Sequence, residues 1–325
     1  MKSIWREIIM AVIMGMILPG ITLNWAVERK YPEAAETQMQ PLEPQQTTPR
    51  IQLEMKLRGD DGSVQIMDMD AYLVGVILAE MPSTFEPEAK KAQAVVARTY
   101  TRKASVTGGK HGDGSVCSNS SCCQAWISRE DYLKEGGSTK AVEEAEAAVA
   151  ATSGYVLTYE GSLIEATYFS CSGGNTEDAV AVWGTDFPYL RAVESPGEEH
   201  AVHYTDTVYF TKGEFADKLG LPLTGDPKNW IGTATYTAGN GINTLVIGGK
   251  TFGGTELRSL LGLRSTVFTM EPDGDGITIT TRGFGHRVGM SQYGADAMAM
   301  GGSTWQEILS YYYTGATLEL TNVAA

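Results

Sequence analysis

The stretch MDAYLVGVILAEMPSTFEPEAKKAQAVVARTYT, residues 69–101, decides the fold. Its first part, through Glu80, carries apolar residues at helical spacing. That helix has to stop before Pro82, because the residue ahead of a proline is pushed out of the helical region. The second part opens on Pro87, which a helix tolerates in its first turn. Glu88 follows, where a negative charge suits the positive end of the helix dipole. Alanines fill the body, and Ala94, Val95 and Ala97 predict a substantially buried helix over about 87 to 105.

Outward from this pair the signals alternate. IQLEMKL (51–57) switches between apolar and polar and reads as a strand, GDDG (59–62) as a turn, and VQIMDM (64–69) as a second strand. STKAVEEAEAAVAATSG (138–154) reads as a third helix stopped by Gly154. YVLTYEGSLIEATYFS (155–170) gives two β-rich runs about a Glu160–Gly161 turn. The polar segment 171–200 is a long loop of the kind that carries or ties together a site.

From 206 to 281 the character changes. TKGEFADKLG opens a short helix with a Thr211–Glu214 capping box, and hairpins are expected around Gly248–Gly249 and around Pro272-Asp273-Gly274. In GFGHRVGMSQYGADAMAMGGSTWQEILSYYYTG (283–315), Ser291 caps a helix through Met300, and Ser303 with Gln306 starts another to about Tyr313. The fold class is α+β. A mixed helical and β-rich main domain, 51–205 and 282–320, is interrupted by a small α+β module, 206–281.

The N-terminus adds a membrane expectation. Residues 1–7 form a short tail, and 8–27 are free of charge and long enough to span a bilayer core. The run ends in LNWAVERK without a small-x-small cleavage signature, which favours a single-pass anchor over a cleaved signal. Residues 28–50, rich in Pro, Gln, Thr and Glu, form a tether. The main domain is expected outside the cytoplasm. The 325 residues carry a formal net charge of -14, which excludes nucleic acid as a partner.

Three of the four cysteines fall in HGDGSVCSNSSCCQ (111–124). The spacing His111-x5-Cys117-x5-Cys123, with Cys122 beside the last, suits a metal. A Cys3His set is tetrahedral and closed, as structural zinc sites are. Cys122 is the expected fourth ligand, with water or Cys171 as alternatives. A Cys117–Cys122 or Cys117–Cys123 disulfide is the competing reading, favoured by an oxidising exterior. No HExxH motif offers a general base for zinc hydrolysis, so the metal is expected to clip the loop.

Five segments occur in a known order: LAEMP (78–82), KAQAVVARTYT (91–101), HGDGSVCSNSSCCQAW (111–126), ATYFSCSGGNTEDAVAVWGTDFPYLRAVESP (166–196) and the run 283–315. Together they resemble the stage II sporulation protein D family of sporulation-type lytic transglycosylases, and the resemblance covers nearly all of residues 50–320. It implies that Glu80 acts first as acid and then as base on the MurNAc-GlcNAc bond of denuded peptidoglycan strands, leaving 1,6-anhydromuramyl ends. It further implies work beside a peptide-stripping amidase and membrane engulfment proteins, in the mother-cell membrane, as the forespore is engulfed.

Candidate substrate contacts are Arg98, Tyr168, Ser172, Gly173, Gly174, His286, Ser291 and Gln292. Each has a plainer alternative: an ion pair for Arg98, core packing for Tyr168, a tight turn for Ser172 to Gly174, a helix cap for Ser291, and a backbone hydrogen bond for His286. Glu86 and Glu88 are nearby acids better explained by their place at a helix start. The chain has Gly285-His286-Arg287 where the family commonly has Gly-His-Gly, so Arg287 either crowds a ligand or contacts an anionic one. Two rival functions stand beside the enzyme: a non-catalytic wall-binding module that stimulates an amidase, and a zinc amidase.

Overall fold

The computed structural model describes residues 53–321, so the tail, anchor and tether expected at 1–7, 8–27 and 28–50 lie outside the described residues. Among the described residues no helix is long and apolar enough to cross a membrane. The chain is α+β, with helices and several small sheets.

Strands β1 (Glu54–Arg58) and β2 (Val64–Asp68) form an antiparallel hairpin. Helix α1 (Met69–Glu80) follows at once, capped by the Asp68 carboxylate, which accepts the Ala71 amide at 2.9 Å. Helix α2 (Pro87–Thr107) ends at Gly108, whose φ of 90° makes a left-handed cap. Short strand β3 (Val116–Cys117) pairs in parallel with β1. Helices α3 (Arg129–Lys134) and α4 (Thr139–Ala151) come next. Strands β4 (Tyr155–Tyr159), β5 (Ser162–Leu163) and β6 (Tyr168–Phe169) lead to the short helix α5 (Ala179–Trp183).

α2 is the hub of this half. Ala92, Ala94, Val95, Val96 and Ala97 are fully buried, and the helix packs against α1, α4 and β4. It also packs against two late helices, α8 (Gln292–Met300) and α9 (Trp305–Tyr312). The small residues of AQAVVA allow four helices to approach one. α8 begins at the Ser291 cap as expected. The capping box of α9 sits one residue later than expected: Thr304 and Glu307, rather than Ser303 and Gln306, exchange the two bonds.

Residues 205–282 hold two further sheets. β7 (Thr205–Thr211) pairs with β12 (Gly276–Arg282), and β12 with β11 (Val267–Asp273). Thr205 lies opposite Arg282, so the first and last strands of this segment are neighbours. β8 (Ile231–Tyr236), β9 (Ile242–Ile247) and β10 (Lys250–Gly253) make the second sheet. Helices α6 (Lys212–Leu219), with its Thr211–Glu214 capping box, and α7 (Gly254–Leu261) complete the segment. Phe210, Phe215, Trp230, Leu245, Phe252 and Ile277 share a core there, and Phe215 stacks on Trp230 at 6.3 Å between ring centres. A parallel pair, β6 with β13 (Met290–Ser291), and the antiparallel pair β4 with β14 (Thr317–Leu320) bring the C-terminal run back to the first half.

Two buried arginines hold these parts together, and neither faces a cleft. Arg98, 1% exposed, donates to the carbonyls of Thr152 at 2.7 Å, Tyr155 at 3.2 Å and Val149 at 3.4 Å. Asp70 stands 3.7 Å away. The guanidinium therefore binds carbonyls at the end of α4 and the start of β4, where the regular helix ladder has stopped. A sugar has no access to it, so Arg98 is structural and the expectation of a substrate contact is corrected.

Arg287 is fully buried with φ of 68°, a left-handed conformation that a glycine adopts without strain. Its side chain donates to the Ser172 carbonyl at 2.9 Å, the Asn175 carbonyl at 2.7 Å, the Thr266 hydroxyl at 3.1 Å and the Gly239 carbonyl. Glu177, also buried, is 3.7 Å away and accepts the Gly239 amide at 3.2 Å and the Thr237 hydroxyl. Arg287 thus ties the loop 172–177 to residues 237–266 and contacts no anionic substrate.

Arg287→Gly removes a strain of about 1 kcal/mol. It also leaves the buried Glu177 carboxylate without its cation, a loss of about 3 kcal/mol or more. Net destabilisation is expected in urea unfolding, and a variant as stable as the parent chain overturns this account of Arg287.

Candidate functional site

Glu80 is the last residue of α1, and three donors from distant parts of the chain meet its carboxylate. The first arrives because position 75 has no side chain. A Cβ on Gly75 would sit 2.3 Å from Trp126 Nε1 and 2.5 Å from the Ile127 carbonyl. The segment 124–127 therefore lies flat on α1, with the Ile127 amide donating to the Gly75 carbonyl at 3.3 Å. This puts the Ala125 amide 2.7 Å from Glu80 Oε1. The parallel pairing of β6 with β13 supplies the others: the Tyr168 hydroxyl at 3.3 Å from Oε1 and Gln292 Nε2 at 3.4 Å from Oε2.

Behind them, Gln124 is buried and fixed. Its Nε2 donates to the Tyr72 hydroxyl at 3.1 Å and the Thr101 hydroxyl at 3.0 Å, while its Oε1 lies 3.2 Å from the Tyr168 hydroxyl. Burial raises the Glu80 pKa above the ordinary carboxylate value, and the bonds from Ala125, Gln292 and Tyr168 only partly offset this. Burial likewise keeps the Tyr168 hydroxyl protonated. The group is a carboxyl that can hold a proton at higher pH than usual and keeps good acceptor geometry once the proton leaves.

The loop before Ala125 answers the question of Cys122 and Cys123. The carbonyl of Asn119 accepts both amides, from Cys122 at 2.9 Å and Cys123 at 2.8 Å. That tight turn points two successive side chains to one centre. Cys122 Sγ is 3.9 Å from Cys123 Sγ and 3.8 Å from His111 Nε2, and Cys123 Sγ is 3.6 Å from the same nitrogen. With Cys117, all four ligand atoms lie within 4.8 Å of one another. Zinc bond lengths at tetrahedral angles require sulfur atoms about 3.8 Å apart and nitrogen about 3.5 Å from sulfur. The four residues fit a metal ion of that kind. All four cysteines are free thiols, so neither expected disulfide is formed. Burial opposes ionisation of Cys117, but the Asn119 amide, His111 and the other two thiols bring its pKa down to about 7. Cys171 is not a ligand: it is buried against the His203 carbonyl, and its thiol is pushed up to about 12 by burial.

The remaining candidates divide. Ser291 is buried and caps α8 through the Gly294 amide at 3.2 Å, placing Gln292 next to it on Glu80. Ser172 and Gly173 do form an anion cradle, but it is filled from within. Glu198, 1% exposed, accepts the Ser172 amide at 2.6 Å, the Ser172 hydroxyl at 2.9 Å, the Gly173 amide at 3.2 Å and the Ser195 hydroxyl at 2.6 Å. The Gly174 amide turns back to the Ser172 hydroxyl at 3.0 Å. Ser172 and Gly173 hold the protein's own carboxylate and Gly174 turns back on Ser172, so these donors are all taken.

His286 stays near the site. Its Nδ1 accepts the Val288 amide at 3.2 Å, and its ring also bonds the Tyr168 carbonyl. Burial brings its pKa down to about 4, so it is neutral at physiological pH.

Gly75, Gln124, the Ala125 amide and Glu198 were not among the residues expected. Gly75 left one trace in the sequence, a glycine inside the apolar run of a helix, where it costs stability unless something packs closely on it. Glu198 left none.

Comparison with known proteins bears on this geometry. The Stage II sporulation protein family model matches residues 58–159, which include Glu80 and the whole metal-ligand set. Stage II sporulation protein D of Bacillus subtilis (strain 168) is 42% identical over 261 residues, covering 79% of this chain and 76% of that protein. The protein of the same name from Bacillus amyloliquefaciens is 41% identical over 266 residues, covering 80% and 77%. An amidase enhancer of Bacillus subtilis (strain 168) is 31% identical over 303 residues, covering 76% of this chain and 40% of that protein.

Because the folded state raises the Glu80 pKa, folding favours its protonated form. Wild-type stability is therefore unaffected by this group well below the ordinary carboxylate pKa of 4.5 and is reduced as pH rises through the higher folded value. Thermal unfolding of wild type and Glu80→Gln across pH 3–8 is expected to show the variant gaining on the wild type as pH rises. A constant gap contradicts the shift. Tyr168→Phe, which removes one bond to the carboxylate, is expected to move the same transition to still higher pH.

Proposed function

The chain belongs to the stage II sporulation protein D family, and from that premise we propose that it is a peptidoglycan lytic transglycosylase. The observation that carries this is the solitary character of Glu80. Burial and three neutral donors, the Ala125 amide, Gln292 and Tyr168, set its ionisation, and no charged group is among these influences. Ordinary glycosidases divide acid and nucleophile or base between two carboxyls. A lytic transglycosylase needs one.

Protonated Glu80 gives its proton to the oxygen leaving C1 of N-acetylmuramic acid. The glycosidic bond breaks as positive charge develops on the sugar. The carboxylate then takes the proton of that sugar's own 6-hydroxyl, whose oxygen bonds to C1 and closes the 1,6-anhydro ring. No water enters, and Glu80 ends protonated as it began. Ala125, Tyr168 and Gln292 keep the carboxylate oriented through both transfers.

His111, Cys117, Cys122 and Cys123 would hold zinc in this reading. Its role is structural, since four protein ligands leave no open position for a reacting water. The same closure argues against a zinc amidase. The metal set is followed directly by Gln124 and Ala125, so the clip fixes the amide that meets Glu80. The substrate is taken to be glycan stripped of stem peptides, with an amidase and membrane engulfment proteins as partners at the mother-cell membrane. The outward location rests on the apolar run 8–27. A second reading, a wall-binding module that stimulates an amidase, draws on the likeness to the amidase enhancer.

Purified protein on denuded strands is expected to release 1,6-anhydromuramyl products by mass spectrometry. Glu80→Gln is expected to slow this by at least about a hundredfold, the usual contribution of a positioned acid and base. Reducing muramic acid ends in place of anhydro ends sink the assignment. Undiminished amidase stimulation by Glu80→Gln, with no product from the wild type, favours the second reading.

About one equivalent of zinc is expected per chain. Stripping it, or Cys117→Ser, is expected to lower both the unfolding temperature and turnover. Turnover that survives complete removal at unchanged stability rules out the clip.

A further inference from the structure

The hydroxyl of Thr101 fixes which way a buried amide points. Gln124 and Thr101 are both 1% exposed, so water does not compete for their bonds. Thr101 gives its one hydroxyl proton to the Ala97 carbonyl, four residues back on α2, at 2.9 Å. Towards Gln124, 3.0 Å away, its oxygen can then only accept. The nitrogen of the Gln124 amide must therefore face Thr101, and its second hydrogen goes to the Tyr72 hydroxyl at 3.1 Å. That leaves Oε1, which can only accept, facing the Tyr168 hydroxyl at 3.2 Å.

Tyr168 thus stands between two acceptors with one proton to give. Its oxygen is 3.3 Å from Glu80 Oε1 and 3.2 Å from Gln124 Oε1. Distance does not choose between them, but charge does. A hydrogen bond to an ionised carboxylate is roughly twice as strong as one between neutral groups. The Ala125 amide, 2.7 Å from Oε1, can only donate. It marks Oε1 as the carbonyl oxygen of the protonated acid and puts the acid proton on Oε2, 3.4 Å from Gln292. With that proton in place, Oε1 is a neutral acceptor that already holds one donor, and Gln124 is the better partner for Tyr168. With the proton gone, Oε1 shares the negative charge and draws the hydroxyl to itself.

We infer that Gln124 is a positioning residue that acts on Glu80 through Tyr168, holding the Tyr168 hydroxyl while Glu80 is protonated and releasing it to Glu80 when the carboxylate forms. No proton leaves Tyr168. The hydroxyl turns about its C–O bond, and one hydrogen bond breaks as the other forms. The inference rests on the reading of Glu80 as acid and then base, and deepens it. A donor reaches the carboxylate as charge appears there and withdraws as the 6-hydroxyl proton arrives. The other groups around the carboxyl carry no charge: α8 offers Gln292 and the metal loop the Ala125 amide. Tyr72 and Tyr100, whose charge would act on Tyr168, are held protonated by burial. Without Gln124 Oε1 the hydroxyl has only Glu80 to bond in both states. The protonated acid then loses a compensating bond and ionises at lower pH.

The test is carbon NMR of the full chain, labelled at the side-chain carbonyl carbons of Glu and Gln and assigned by through-bond correlation. It needs no turnover. Gln124→Met is expected to lower the pH at which Glu80 titrates by about half to one pH unit, the scale of one neutral hydrogen bond. In a chain that also carries Tyr168→Phe, the same change is expected to have no effect. A second reading does not require the Gln124 variant to fold. In the wild type the Gln124 resonance is expected to move at the pH where Glu80 titrates, and in Tyr168→Phe to stop doing so.

A Glu80 midpoint that Gln124→Met leaves in place, or moves equally with and without Tyr168, overturns this role. So does a Gln124 resonance that ignores Glu80, or that follows it without Tyr168. A merely structural Gln124 gives no effect that depends on Tyr168. The outcome separates from the reading it rests on. Anhydro product from the wild type without these couplings keeps the transglycosylase and discards the role of Gln124. The couplings without anhydro product keep the role of Gln124 and discard the transglycosylase.

Discussion

The amide of Ala125 on the Glu80 carboxylate, 2.7 Å long, is the contact on which the candidate site depends. It joins the end of one helix to a loop 45 residues further on. Each support of that loop is a separate physical device. Gly75 removes the side chain that would keep the loop away from α1. Buried Gln124 anchors it to Tyr72 and Thr101. The turn at Asn119 gathers Cys122 and Cys123 with His111 and Cys117. A metal ion held there would sit two residues from the amide that meets Glu80 and would help to fix its position.

A second constraint is the division of buried charge. Arg98 and Arg287 are both buried and both satisfied mainly by backbone carbonyls. Glu198 is the mirror case, a buried carboxylate surrounded by amides and hydroxyls. Fully met hydrogen-bonding needs keep such groups in place and rigid, whereas Glu80 is half-buried and held by neutral donors. The first kind fixes the loops at 172–177 and 285–291. The second holds its proton to higher pH than an ordinary carboxyl, at a cost in stability as pH rises.

Much of the architecture was legible locally. Pro87 marks a helix start through short-range geometry, Gly154 lies just past the end of another, and the Thr211–Glu214 box works within three residues. The α9 box was misplaced by one residue because Ser303-Thr304 offers two hydroxyls in succession, and only the chain's approach to the helix selects Thr304. The metal set was legible because its ligands fall within thirteen residues, 111–123. The assignments of Arg98, Ser172, Gly173 and Gly174 to substrate went the other way. A polar residue type does not reveal whether its partner is a sugar or a carbonyl of the same chain, and here internal partners took every donor.

The sequence by itself determined the α+β class, the helix pair around residues 69–107, the ligand spacing of the metal loop and the family to which the chain belongs. Each is carried by neighbours along the chain or by motif order, so no folding was needed to see it. Only the tertiary structure decided that Cys122 and Cys123 share one centre, that Glu198 fills the Ser172–Gly173 cradle and that Arg287 is a tie between segments. It alone set His286 beside Trp183. The reason is physical: burial and partner choice depend on contacts between residues tens to hundreds of positions apart, and these set both the ionisation of Glu80 and the freedom of every other polar group.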